Sequence, residues 1–164
     1  MKTKELILEQ LSATHNQKNW FVPFTDSVAG LTASQAARKD ESGNHSVWGI
    51  VNHLIFWNGR WLTRLKGEEP PKMEIENSGT FSEGTADENA WKDSIAMLDE
   101  IMTGIESSLK DMPDEILKKE AFPGYEGSWY DMFAQMTIHN AYHIGQIVHL
   151  RKQMGSWKSE QGVS

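Results

Sequence analysis

The stretch from Met132 to Met154 constrains the fold more than any other part of the chain. Its apolar residues recur at intervals of three and four, which is the spacing of one face of an α-helix. His139 and His143 occupy two further positions on that face and lie one helical turn apart. We therefore predict a long amphipathic helix that directs two imidazoles toward the protein interior. The apolar positions are Met132, Met136, Ile147, Leu150 and Met154.

This histidine pair allows two interpretations. A polar group buried without a hydrogen bond costs about 1–3 kcal/mol, so each imidazole needs a partner. In the first interpretation, each ring bonds to a neighbouring carbonyl or hydroxyl group. In the second, both rings bind one metal ion, because histidines at positions i and i+4 commonly supply two ligands of a transition-metal site. The pair alone leaves both interpretations open.

Composition and charge limit the class of protein. The chain has 164 residues, which suits one domain with one core. It has no cysteine, which excludes disulfides, thiolate zinc sites and cysteine nucleophiles. The net charge of −7 argues against a nucleic-acid partner, because phosphate contacts need clustered lysines and arginines. No segment approaches the ~18 apolar residues of a membrane span, so we expect a cytoplasmic protein with no membrane partner.

The same periodicity predicts two helices in the first part of the chain. The first spans residues 3 to about 30, and Pro23 should kink or split it because proline removes a backbone hydrogen bond. We expect His15, in this helix, to be solvated or bonded locally. The second helix begins at the N-cap Ser46 and ends at about residue 66.

A long polar loop, residues 67–86, separates the second helix from the third. Its Pro70-Pro71 pair rules out a continuous helix, and loops of this length often cover a functional site. The third helix follows a capping box that starts at Thr85, and its unbroken apolar face indicates a scaffold. Ser128 is the predicted cap of the fourth helix, which carries His139 and His143.

Four amphipathic helices with apolar faces pack best as a four-helix bundle. We therefore predict an all-α protein with a long loop between its second and third helices. We place the bundle in a single domain, residues 1–155, followed by a polar C-terminal tail, residues 156–164. Within the tail, Trp157 is expected to fold back on the bundle.

Three of the six histidines face the predicted core, because His53 lies on the apolar face of the second helix. Gly49, one turn before it, leaves room for another backbone or a ligand. If the second and fourth helices are neighbours, His53 can meet His139 and His143 at one point. Three neutral histidines with open coordination positions are the ligand pattern of catalytic zinc. Such a metal lowers the pKa of bound water to about 7 and holds a bound thiol as thiolate.

The segments that carry these histidines resemble the DinB/YfiT-like superfamily. The second helix contains Ser46-Val-Trp-Gly-Ile-Val-Asn-His53-Leu, and the fourth contains the HxxxHxxQ pattern of His139, His143 and Gln146. The resemblance covers nearly the whole chain and implies a four-helix bundle whose three histidines bind a divalent metal, often zinc or nickel. By this match the ligands are His53, His139 and His143. The histidines themselves do not select among zinc, nickel, copper and iron.

The resemblance implies less about the reaction. Characterised relatives include metal-dependent transferases that act with low-molecular-weight thiols, such as bacillithiol S-transferases and mycothiol-dependent maleylpyruvate isomerase. Other members are described only as metal-dependent hydrolases or damage-inducible proteins. We therefore expect a metal-dependent enzyme, of the thiol S-transferase or hydrolase type, that activates a thiol or water toward a small-molecule substrate. Several relatives are dimers, which leads us to expect a homodimer.

The alternative is a non-catalytic bundle. Such a protein would bind a metal or a small ligand in a stress response, or would act as an interaction protein. The sequence favours this alternative in one respect, because it offers no obvious acid or base beyond the metal. Turnover that depends on the ion would distinguish the enzyme from the binding module.

Four other residues are candidates for supporting roles. Gln146 would orient the preceding ligand through its ring N–H, or would act as a packing amide between helices. Trp57, one turn after the upstream ligand, would wall the metal pocket. His45 is expected to be exposed and is a reserve ligand. Glu126 is the candidate general base nearest to the fourth helix, although its position suits a solvated charge better.

Overall fold

The computed structural model describes residues 2–39 and 45–162. Within these ranges the chain forms seven α-helices, four of them long, and no β-strand, which confirms the all-α prediction. One isolated antiparallel bridge joins Glu120 to Ser128. No helix in this part of the chain is long and apolar enough to cross a membrane. The helices are α1 (Thr3–His15), α2 (Phe24–Val28), α3 (Ala33–Ala36), α4 (Val47–Leu65), α5 (Glu88–Asp111), α6 (Asp114–Leu117) and α7 (Trp129–Gln153), and two 3₁₀ turns span Asn77–Thr80 and Ser159–Gln161.

The four long helices pack as a closed ring. Helix α4 lies along α5, α5 contacts α1, α1 contacts α7, and α7 returns to α4. Large apolar side chains from all four helices fill the interior. The helices predicted to carry the histidines are therefore neighbours. Examples of fully buried core residues are Leu54, Trp91, Leu98, Ile105, Phe133 and Ile147.

The predicted starts of α4 and α7 are confirmed. Ser46 Oγ accepts a hydrogen bond from the backbone N–H of Gly49 at 3.0 Å. Ser128 and Asp131 form a reciprocal capping box at the start of α7. Such caps satisfy N–H groups that the helix leaves free and contribute about 1 kcal/mol each. Gly67, with φ of +79°, follows the end of α4, as the sequence indicated.

The first predicted helix is wrong in its extent. Helix α1 ends at His15, and the polar residues after it, beginning with Asn16, do not continue the helix. Asparagine favours hydrogen bonds to its local backbone over helical ones, which explains the early end. Pro23 does separate two helices, because it stands at the N-cap of the short α2. Residues 16–23 therefore form an irregular link rather than a helical turn.

The start of the third predicted helix is also displaced. Asp87, not Thr85, is the N-cap of α5, and its Oδ1 accepts from the backbone N–H of Ala90 at 2.8 Å. Ala86 has φ of +59°, a left-handed conformation that turns the chain just before the cap. The left-handed turn at Ala86 therefore moves the start of α5 two residues beyond the predicted cap.

His15 is not solvated or locally bonded, and that prediction is wrong. Its side chain is 2% exposed, and its Nε2 lies 2.7 Å from Oδ1 of Asp99 on α5. Packing of α1 against α5 buries the imidazole, and the carboxylate across the helix interface becomes its partner. This contact joins two helices that are far apart in sequence.

Trp157 folds back on the bundle, as expected. The guanidinium carbon of Arg151 lies 4.9 Å from the centroid of the Trp157 ring, a cation–π geometry. Arg151 Nη1 also donates to the backbone carbonyl of Ser27 at 2.7 Å. The end of α7 thus holds both the tail and the last turn of α2.

Candidate metal centre

His53 on α4 and His139 and His143 on α7 form one cluster. One ring nitrogen of each lies within 4.8 Å of the other two, and the Nε2 atoms of His53 and His139 are 3.1 Å apart. Zinc–nitrogen bonds of about 2.0–2.1 Å in a tetrahedron place ligand nitrogens roughly 3.3 Å apart. His53 and His143 are buried and His139 is half-buried. The cluster is therefore compatible with metal binding.

The loop after α4 fixes the orientation of His53. Thr80 Oγ1 lies 2.6 Å from His53 Nδ1 and donates its own proton to the carbonyl of Asn77, also at 2.6 Å. A hydroxyl has one proton to donate, so Thr80 must accept from an N–H at Nδ1. The lone pair of His53 consequently resides on Nε2, the atom that faces the cluster.

Gln146 fixes the orientation of His143 in the same way. Its Oε1 lies 2.7 Å from His143 Nδ1, and its Nε2 lies 3.3 Å from the hydroxyl of Tyr142, to which it donates. The amide oxygen can only accept, so His143 Nδ1 carries the proton. His143 Nε2 is then free to bind a metal. This bond is the one that the sequence suggested for Gln146, and it supports the metal interpretation of the pair.

Burial keeps these imidazoles neutral. It lowers the pKa of His53 to about 3, with His143 and His139 nearby adding to the effect. It also lowers the pKa of His143 to about 4, again with a contribution from His139. The pKa of His139 is lowered by burial as well. Neutral imidazole is the form that binds a metal, so the cluster needs no deprotonation near pH 7.

Phe81 from the loop covers one side of the cluster. Its ring stacks on His53 with centroids 3.9 Å apart, and on its other side it stacks on His45 at 3.8 Å. His45 is exposed, as predicted, and it is not part of the three-histidine group. It lies at the outer end of a three-ring stack.

Two glycines let the loop approach α4 closely. A Cβ on Gly49 would lie 3.3 Å from the backbone oxygen of Phe81, and a Cβ on Gly84 would lie 2.0 Å from the Trp48 ring. Asn52 on α4 also donates to the carbonyl of Ser82 at 2.9 Å. The close approach expected at Gly49 is therefore confirmed, and the approaching backbone belongs to residues 67–86.

A cavity of about 690 Å³ opens beside the cluster. That volume lies within the usual range for small-molecule sites, roughly 300–1,000 Å³. Trp57 forms part of its wall, whereas Glu126 is exposed and does not line it. The lining residues are His45, His53, Trp57, Trp61, Asn77, Phe81, Gln135, Met136, His139, Tyr142, His143 and Gln146.

The length of the 67–86 loop indicated that it covers a functional site, but the sequence did not identify the loop residues that contribute to this one. Thr80 and Phe81 contact His53, and Asn77 receives a hydrogen bond from Trp57 Nε1 at 3.1 Å. The only signal for them was the unusual length of the loop. Nothing in the spacing of these residues relates them to a histidine more than 20 positions earlier.

A ring of four long helices, with a three-histidine cluster between two of them, defines a class of helical bundle whose cluster is compatible with metal binding. The family model of the DinB superfamily matches residues 24–147, and the chain belongs to that superfamily. The matched range contains all three histidines and Gln146. No curated protein and no solved structure matches the chain.

Proposed function

We propose that the protein is a divalent-metal-dependent enzyme of the thiol S-transferase or hydrolase type. The observation that carries this proposal is the convergence of three imidazole nitrogens within 4.8 Å, beside a cavity that can hold a small molecule. Zinc and nickel are the ions we propose, with a low-molecular-weight thiol as a co-substrate of the transferase type.

In this proposal His53, His139 and His143 hold the ion. No fourth histidine, cysteine or carboxylate from the described part of the chain belongs to the group, so coordination positions stay open for substrate. A divalent ion at this site would lower the pKa of a coordinated thiol or water toward neutrality and so supply a nucleophile. Thr80 and Gln146 keep the Nδ1 protons of two ligands in place, which aims both Nε2 lone pairs at the ion.

Elemental analysis of tag-free protein tests the metal proposal. We expect about one divalent ion per chain in the unmodified protein and almost none when His139→Ala and His143→Ala are combined. His149→Ala is the matched control, because His149 is exposed on the same helix. Protein that stays empty after reloading with zinc or nickel would show that the histidines are only core polar residues.

A non-catalytic binding protein is the second candidate. The observation in its favour is that no lysine, aspartate or glutamate from the described residues lines the cavity. Outside the three-histidine cluster, His45 and Tyr142 are the only described lining residues that could act as a general acid or base. Screening of the loaded protein for thiol transfer and for hydrolysis separates the two candidates. A binding module would be stabilised by its ligand and would form no product.

We also propose that the protein forms a homodimer. Four apolar side chains line one groove between α1, the 16–23 link and α7, and each is at least 37% exposed. An exposed apolar groove of this kind is typical of association surfaces. Sedimentation of the unmodified protein and of Ile138→Lys tests the proposal, and a monomer in both would contradict it. The four residues are Leu6, Trp20, Phe21 and Ile138.

A further inference from the structure

We infer that the ligand of this cavity has an uncharged aromatic body and a single metal-binding group. This inference deepens the proposed function and rests on it for the role of the ion. The shape and chemistry of the cavity itself can be tested without a metal.

The walls of the cavity are aromatic and are held in place from behind. Trp61 packs against Phe122 and Tyr125, with ring centroids 5.8 and 6.4 Å apart. Trp57 is held by its hydrogen bond to Asn77. Flat aromatic rings prefer stacked or edge-to-face partners, each worth about 0.5–1.5 kcal/mol beyond area burial. Two fixed indoles therefore favour an aromatic ligand over a flexible aliphatic one.

No fully charged side chain lines the cavity among the described residues. The two arginines of α4 are engaged elsewhere. Arg60 donates to the carbonyl of Pro71 at 2.6 Å, and the Arg64 guanidinium lies 4.3 Å from the Phe122 ring centroid. One anionic donor group on the ligand could be balanced by the ion. A second anionic group would lie among aromatic rings with no lysine or arginine from the described residues beside it, which is costly.

The polar groups that do line the cavity are neutral hydrogen-bonding groups. Gln135 and Asn77 each offer an amide. The Tyr142 hydroxyl accepts from Gln146 Nε2, so its own proton remains available to a ligand at the mouth of the cavity. A few such groups in an apolar pocket orient a ligand without demanding charge. They fit an amide, ether or hydroxyl substituent.

The test compares two aromatic thiols of the same shape, para-mercaptobenzamide and para-mercaptobenzoate, which differ in one charge. Both are titrated into protein loaded with cobalt(II), whose absorption spectrum reports a thiolate on the metal. We expect the amide to bind at least about tenfold more tightly than the carboxylate, since the latter must bury an unpaired charge. Equal affinities, or tighter binding of the carboxylate, would overturn the inference.

A charge placed in the wall should reverse this preference. Gln135 is exposed and lines the cavity, so Gln135→Lys should fold normally and give the carboxylate a partner. We expect the affinity ratio to shift toward para-mercaptobenzoate by at least about tenfold. Gln153→Lys is the matched control, because Gln153 is exposed on the same helix and does not line this cavity. A ratio that is unchanged in Gln135→Lys would contradict the inference.

A metal-free arm separates failure of this inference from failure of the metal proposal. Benzamide and benzoate are compared by ligand-observed NMR on protein stripped with chelator. A preference for benzamide that is lost in Trp61→Leu but kept in Trp157→Leu supports the aromatic cavity even if cobalt does not load. If cobalt loads but neither amide probe is preferred, the metal site stands and the inference about the ligand is wrong.

Discussion

Thr80 is the single residue on which the orientation of His53 depends most. Its hydroxyl accepts a hydrogen bond from His53 Nδ1 and donates one to the Asn77 carbonyl. We expect Thr80→Val to lower metal affinity by about 10–100-fold, the usual effect of removing the hydrogen-bond partner of a metal ligand. Isothermal titration with zinc measures the change.

Thr63→Val is the control for this prediction. Among the described residues, the hydroxyl of Thr63 on α4 bonds only to the carbonyl of Gly59, one turn earlier, so its loss should leave zinc affinity within about twofold. If Thr80→Val bound zinc as tightly as Thr63→Val, the bond from Thr80 would not orient His53.

The lowered pKa values of His53 and His143 make the stability of the metal-free protein depend on pH. The unfolded chain takes up protons on histidine near pH 6.5, whereas the folded cluster resists them until about pH 3–4. Their contribution to stability is therefore complete above pH 6.5 and is lost as pH falls toward 4. We expect a loss of about 1–2 kcal/mol per histidine between pH 7 and 5, measured by urea unfolding.

His53→Gln should flatten this pH profile, because glutamine does not titrate. Gln153→Asn, which changes an exposed amide on the same helix as His143, should leave the profile unchanged. Parallel profiles for the unmodified protein and His53→Gln would mean that burial of this imidazole does not resist protonation.

At the scale of elements, the loop of residues 67–86 is part of the site because glycine lets it approach α4. A side chain on Gly84 would collide with Trp48, which is 3% exposed and tightly packed. We expect Gly84→Ala to displace the loop, weaken zinc binding and speed hydrogen exchange over residues 77–84. Gly145→Ala is the control, because its Cβ would meet nothing within 4 Å and alanine stabilises a helix by about 0.5–1 kcal/mol. Unchanged exchange in Gly84→Ala would show that the loop tolerates the side chain.

A reciprocal amide pair fixes the register between α4 and α7. Asn58 and Asn140 each donate Nδ2 to the other's Oδ1 at 3.0 Å, and both are 1% exposed. Asn140→Ala leaves Oδ1 of Asn58 unpaired, while Nδ2 of Asn58 keeps its bond to the Leu54 carbonyl, so we expect a loss of about 1–3 kcal/mol in unfolding free energy. A double-mutant cycle with Asn58→Ala should show strong coupling, and additive losses would mean that the pair does not act as a unit.

At the scale of the whole molecule, the helices were predictable where a local signal marks their ends. Ser46 and Ser128 are both followed by apolar periodicity, and both cap helices as expected. The burial of His15 was not predictable, because it depends on packing against Asp99 of α5. Propensity describes a segment alone, whereas burial is decided by its neighbours.

The residues of the candidate site were likewise predictable only in part. Helical spacing placed His139 and His143 on one face and His53 on the apolar face of the second predicted helix, and the family resemblance assigned the three as metal ligands. The partners of the His53 ring could not be predicted from the sequence. Thr80 and Phe81 belong to a loop whose path depends on the close approach that Gly49 and Gly84 allow between the loop and α4. The bond between Gln146 and His143 could be predicted, because the helix itself fixes the spacing of the two residues.

A metal held between α4 and α7 should stabilise the closed ring of helices. An ion that binds only the folded chain adds about 2.7 kcal/mol when its concentration is a hundred times its Kd. We expect zinc to raise Tm in the unmodified protein and to have no effect when His139→Ala and His143→Ala are combined. Hydrogen exchange should slow in α4 and α7 more than in α1. Uniform slowing in all helices would argue against a local bridge.

The distribution of the cluster along the chain has a consequence for biosynthesis. His139 follows His53 by 86 positions, which a ribosome adding 5–20 residues per second covers in roughly 4–17 s. During that interval the nascent α4 exposes a single imidazole, which holds a divalent ion only weakly. Binding of a divalent ion by the complete cluster would therefore follow translation of α7, and the ion bound there would reflect the metals available where folding is completed.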